Sequence, residues 1–153
     1  MGLAIRRGVF RSLFAFMRLC DISCKSFVFR KREFASYDEL VSRISREAGS
    51  FLLGNLGFLQ SLNRIIVYCD YGQKEIASLV NTLFSACLDA EVWKVSLSDC
   101  SLLQAADMFC TLTLLEEKLE SGGFSNFERE FFTSVRDLKK NCLKPASAKR
   151  PSQ

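Results

Sequence analysis

The sequence predicts a mixed α/β fold, with a mainly parallel sheet flanked by helices. Three observations carry that prediction. Ile65-Ile66-Val67-Tyr68-Cys69 is a continuous apolar run, which suits a strand covered on both faces. Helical stripes stand on either side of it: Leu40, Val41, Ile44, Ala48, Phe51 and Leu52 before, Ile76, Leu79, Val80, Leu83, Phe84 and Cys87 after. A second strand-like run, Glu91 to Leu97, follows the later stripe, and such alternation implies right-handed parallel crossovers.

The remaining elements follow in order. Val9, Phe10, Leu13, Phe14 and Met17 form one stripe of a first helix, with Arg7, Arg11 and Arg18 away from it. Cys24 to Phe29 is short, apolar and aromatic, and reads as a strand. Ser36-Tyr37-Asp38-Glu39 is a capping box that opens the helix carrying the Leu40 stripe, and Gly54 and Gly57 loosen its far end. Tyr71-Gly72-Gln73 turns the chain into the Ile76 helix. Ser98 or Asp99 caps the next helix, which runs to about Ser121 and is stopped by Gly122-Gly123. Ser125-Asn126-Phe127-Glu128 is a second capping box, starting a short helix with Phe127, Phe131 and Phe132. The Pro, Ser, Ala and Lys composition from Lys144 onward suggests one domain over residues 1–145 and a disordered basic tail over 146–153. One strand on either side of the Asp70 strand makes a thin sheet for so many helices.

Composition narrows the chemistry. A length of 153 residues suits one domain, and 48% apolar residues suit a buried core. The net charge of +4 settles no partner, although Arg6, Arg7, Arg11 and Arg18, then Arg30, Lys31 and Arg32, then Lys139, Lys140, Lys144, Lys149 and Arg150 cluster. They could build a phosphate-binding surface or simply solvate helix faces and a tail. Seven Cys lack any C-x-x-C spacing and fall mostly in apolar runs, as buried free thiols of a reducing, cytoplasmic setting do. With no His, a Ser–His or Cys–His nucleophile within the chain is excluded, so hydrolysis here would need carboxylates and a metal. Arg11 and Arg18 interrupt the first apolar stretch, which therefore fits neither a signal-peptide core nor a membrane span. Gly2 is not followed by Ser or Thr at position 6, so the myristoylation pattern fails too.

Two acidic residues are the candidates for chemistry. Leu102 to Leu115 is apolar nearly all round its axis and is expected to be buried, yet Gln104, Asp107 and Thr111 share one side of it. A buried carboxylate needs a cation, a donor network or a cleft, so Asp107 is either a ligand or a residue bonded to amides or a nearby Lys. Asp70 closes the apolar strand just before a Gly turn, where open α/β sheets bind ligands. Paired there, Asp70 and Asp107 could share Mg²⁺ and activate a water toward a phosphodiester; alternatively Asp70 only forms the turn. The Asp-x-Gly-Gln segment lacks the glycines and Lys of a P-loop.

Asp70-Tyr71-Gly72-Gln73-Lys74-Glu75, Leu103-Gln104-Ala105-Ala106-Asp107 and Leu138-Lys139-Lys140-Asn141-Cys142-Leu143-Lys144-Pro145 together resemble the bacterial domain of unknown function family numbered 3800. The likeness runs colinearly from about Arg6 to Pro145. It implies an RNase H-like fold and acidic residues gathered around a divalent ion, Mg²⁺ or Mn²⁺, with nucleic acid as substrate. Asp70 and Asp107 match the catalytic and metal-binding acidic positions, Gln104 the glutamine of the helix motif, and Gln73 that of Asp-x-Gly-Gln. Two departures stand beside the matches. The Asp-Glu-Ser-Gly strand that opens family members is missing, and Arg30 stands where members tend to carry Asp. The expectation is an N-terminally truncated RNase H-like domain, inactive as a nuclease alone. It would self-associate or pair with a chain supplying strands, with no membrane partner. The alternative is a non-catalytic interaction or small-ligand-binding α/β module, for instance flavodoxin-like or receiver-like.

Overall fold

The computed structural model describes residues 2–72 and 74–151. Its elements are α1 (Leu3–Leu19), α2 (Tyr37–Gly54), α3 (Leu56–Gln60), β1 (Ile65–Asp70), α4 (Lys74–Cys87), β2 (Ala90–Val95), α5 (Ser101–Glu120) and α6 (Asn126–Phe131). A last helical stretch comprises α7 (Val135–Asp137), a π-helical turn (Leu138–Leu143) and α8 (Lys144–Ser147). The fold is mixed α/β, with a two-stranded parallel sheet flanked by helices. Among the described residues no helix is long and apolar enough to cross a membrane.

Where the sequence suggests one domain, the chain divides into two compact units. One holds the residues up to Ser26 together with those from Gln104 on; the other holds Phe27–Leu103. The second boundary falls inside α5, whose unbroken helical periodicity conceals it.

The helical unit has a closed core. Phe14 and Met17 of α1 meet Met108, Phe109, Leu112 and Leu115 of α5, Phe132, and Leu138, Cys142, Leu143 and Ala146 of the last helical stretch. Phe10 packs edge-on against Phe131 and Phe132, each at a centroid distance of 5.6 Å. Gly122 ends α5 with φ +73°, and the Gly123 N–H donates to the Lys118 carbonyl at 2.8 Å, a Schellman closure that only glycine adopts without strain. Residues 146–151, which composition assigns to a disordered tail, are tied to the helical unit. Ala146 is buried, the Lys149 carbonyl accepts from the Cys24 N–H at 2.7 Å, and Lys149 Nζ donates to the Cys20 carbonyl. Arg150 pairs with Glu116 and lies over the Phe109 ring.

The α/β unit is built as β1–α4–β2. Residues Ile65 to Asp70 pair in parallel with Ala90 to Val95, one for one. Helix α4 lies against both strands and α2 against α4, where Gly49 sits close to Leu83. The third strand expected at Cys24 to Phe29 is absent: residues 21–30 have no regular secondary structure and pair with neither strand. The Cys24 amide donates to the Lys149 carbonyl at 2.7 Å, and the Ser26 and Thr113 hydroxyls share a hydrogen bond of 2.9 Å, both within the helical unit.

The α/β unit covers its apolar surface poorly. Among its described residues only Leu52, Cys69 and Ala77 are buried hydrophobics. The Leu40 and Ile76 stripes are partly buried, with Leu52 fully so and Phe51 exposed, and Phe58 is 66% exposed. Tyr68 and Trp93, partners in register, meet edge-to-face at 6.0 Å, with Trp93 still 45% exposed.

Candidate functional site

Parallel pairing sets the carboxyl ends of β1 and β2 side by side. The Tyr71 N–H donates to the Val95 carbonyl at 3.2 Å, so the pairing extends past the strand ends into the turn. Asp70, half-buried, stands at this end. Its Oδ2 lies 3.1 Å from where a Cβ on Gly72 would be, so the carboxylate folds back over its own turn and a side chain at position 72 would press on it. That is the posture of an Asp that closes a turn. Gln73, the other polar residue expected here, lies outside the described residues.

The turn after β2 brings further polar groups to the same sheet end. Ser96 and Ser98 share a hydroxyl hydrogen bond of 2.8 Å, and Ser98 Oγ donates to Asp99 Oδ1 at 3.2 Å. Ser98 and Asp99 read as alternative helix caps in the sequence. What would have marked them as site neighbours is the strand pairing, since only β1 beside β2 brings Asp99 to the Asp70 end. Two carboxylates and two hydroxyls can accept and donate hydrogen bonds to a polar ligand. Among the described residues, however, no group of three or more Asp, Glu or Cys side chains converges as a metal cage does.

Asp107 and Gln104 belong to the helical unit, whereas Asp70 belongs to the α/β unit. Here the reading of α5 as a helix buried all round is corrected. Ala105, Met108, Phe109, Leu112 and Leu115 are buried along one side, while Asp107 and Thr111 are exposed and Gln104 is half-buried. Leu102 and Leu114, 50% and 52% exposed, show that apolar residues also occupy the open side. Asp107 therefore pays no burial cost that a cation would have to offset. Arg30, expected near an acidic site, closes the extended segment ahead of a single 3₁₀ turn, Lys31–Glu33.

Burial holds four of the thiols in their protonated form. Burial first, and the Asp137 carboxylate second, push the Cys142 thiol up to about 11. Desolvation likewise raises Cys24, Cys69 and Cys110, with Asp107 adding to the effect at Cys110. Each stays a protonated thiol near neutral pH. No family model, curated protein or solved structure matches the chain.

Proposed function

We propose that this chain is a non-catalytic interaction module, whose RNase H-like βαβ unit is completed by a second copy of the chain, and that it does not cleave nucleic acid alone. The observation that carries the reading is the uncovered state of the α/β unit: three buried hydrophobics among its described residues, beside exposed Trp93 and Phe58. Among the described residues each strand has one strand neighbour, which leaves its outer edge open to the kind of pairing that recruits another strand. Isolated two-stranded sheets are marginal in water, which favours completion from outside the unit. Asp70 remains the residue through which a divalent ion, Mg²⁺ or Mn²⁺, would engage this sheet end, but such an ion needs more oxygen ligands than one turn-bound carboxylate. Asp107 keeps its place as second ligand only through the family likeness, because its exposure removes the physical demand for one.

The test joins hydrodynamics to activity. Light scattering behind size-exclusion chromatography should give a mass that rises with concentration. Trp93→Lys should shift it toward monomer without changing the far-ultraviolet spectrum. With Mg²⁺ or Mn²⁺, single-stranded, double-stranded and hybrid nucleic acid should remain intact. A monodisperse monomer that unfolds cooperatively would overturn the interaction reading. Metal-dependent cleavage abolished by Asp70→Asn would restore the nuclease.

A further inference from the structure

The helical unit contains a cleft of about 360 Å³, which is within the size range of small-molecule sites. One wall is α1. At 3.6 residues per turn, Arg7, Arg11, Ala15 and Arg18 fall within roughly 80° of one another around that helix. The small Ala15 leaves the hollow. Arg7 is already engaged, since its Nε donates to the Phe131 carbonyl at 3.0 Å and a second guanidinium nitrogen reaches the Glu130 carbonyl, satisfying the end of α6. Arg11 and Arg18 are exposed and make no hydrogen bond or ion pair among the described residues. Seven residues apart, they stand about 10.5 Å apart along the axis and flank Ala15.

The rest of the lining is of different character. Phe10 stacks on Phe14 at 5.8 Å, and Phe131 meets Phe132 at 4.9 Å, so ring faces and edges line the bottom. Asp137, whose Oδ1 accepts from Asn141 Nδ2 at 2.6 Å, and Thr133 also line the cleft. Cys142 also lines the cleft, as an apolar, protonated thiol.

We propose that this cleft binds a nucleoside monophosphate. Two uncommitted guanidiniums call for close to two negative charges. A phosphate monoester carries about 1.5 to 2 near pH 7, whereas a carboxylate carries one. Asp137 drives the anion to the arginine side and is left to accept from a hydroxyl or amino group of the ligand. The phenylalanine floor takes a flat ring by stacking or edge contact. An anionic head, a hydrogen-bond donor and a flat body within a few hundred Å³ are the parts of a mononucleotide. This inference concerns the helical unit alone and is independent of the sheet's role.

Calorimetric titration of the full chain tests it with AMP, UMP, adenosine and inorganic phosphate. AMP and UMP should bind one to one with a Kd below about 1 mM, and adenosine or phosphate alone at least about tenfold more weakly. Arg11→Ala and Arg18→Ala should each weaken AMP by about tenfold, the usual cost of one charge-assisted hydrogen bond. Ala15→Leu, which keeps the charge and fills the hollow, should do the same. Arg136→Ala, outside the cleft, should leave binding unchanged. All four positions are exposed, and far-ultraviolet spectra verify that each variant folds. A ten-nucleotide strand binding only when 5′-phosphorylated would identify a strand end as the source; failure of that strand beside tight AMP binding would identify the free nucleotide. No AMP binding at about 5 mM, equal affinity for AMP and inorganic phosphate, or indifference to Arg11→Ala and Arg18→Ala would each overturn the proposal.

Discussion

Replacing Glu128 by Gln isolates the charge at one helix start. Glu128 Oε2 accepts the Ser125 backbone N–H at 2.7 Å, while the Glu128 N–H donates to Ser125 Oγ at 3.3 Å, closing the capping box of α6. Oε1 accepts from Lys118 Nζ at 2.5 Å, tying this box to the last turn of α5. The Lys118 hydrogen bond, then the Ser125 amide, hold the carboxyl down at about 2 instead of 4.5. Taken at face value that difference is worth about 3 kcal/mol. Lys118 is half-exposed, however, and solvent screening brings the pair to about 1 kcal/mol. Gln still serves at this capping position, so Glu128→Gln removes the charge and keeps the box.

The expected loss is therefore ~1 kcal/mol at pH 7, read from urea unfolding followed by far-ultraviolet circular dichroism. A carboxyl held low in the folded state contributes its stability in full above the unfolded value of 4.5, and loses it as pH falls toward 2. The gap between wild type and Glu128→Gln should thus be constant from neutral pH to about 5, and shrink to a small remainder near pH 2. Adding Lys118→Ala should give a coupling of similar size at pH 7 and none at pH 2. A gap under about 0.3 kcal/mol at pH 7, or one that persists unchanged at pH 2, would refute the assignment.

Two further outcomes test the helical core and its closure, beside those stated above for self-association and for the arginine cleft. Leu138 is fully buried within the core cluster, so Leu138→Ala should cost about 2–5 kcal/mol in urea unfolding; a loss below 1 kcal/mol would mean the site collapses freely. Arg150→Ala removes the Glu116 pair and the cation lying 5.9 Å from the Phe109 centroid. It should lower stability by about 0.5–1.5 kcal/mol, and an unchanged urea midpoint would return residues 148–151 to the status of a loose tail.

Local rules were legible in this sequence because their causes lie within four or five residues. Ser36 accepts the Glu39 N–H at 3.2 Å as its spacing implies, although Glu39 reaches back to the Ala35 amide rather than to Ser36. Ser125 and Glu128 close a full box, and Gly122 takes the left-handed turn. The β1–α4–β2 unit was legible for the same reason, each element announcing itself by its own period. The run from Cys24 to Phe29 failed because a strand is defined by its neighbour, and the Cys24 amide is claimed by a carbonyl 125 residues away. Composition is equally blind at residues 149 and 150: Lys149 and Arg150 are held by Cys20, Cys24, Glu116 and Phe109, none of which is near in sequence.

The candidate site shows how one hidden premise governs a functional reading. Apolar residues all round Leu102 to Leu115 permit two arrangements: a helix enclosed on every side, or a helix with one buried side and an apolar side left open. Only the first makes Asp107 costly and so demands a partner for it. The buried set recurs at 105, 108, 109, 112 and 115, a single stripe, and Asp107 lies off it beside exposed Thr111. The open leucines on that helix then become the unusual feature, because water meets apolar surface there and solvates the acid at no cost. The arginines of α1 left both readings open, a phosphate-binding surface or a solvated face, for the converse reason. On their own helix they are a polar face pointing to water, and Phe131, Asp137 and Asn141, more than 110 residues later, turn that face into the wall of a cleft. Charge that looks solvated in one element acquires chemistry only when another element closes over it.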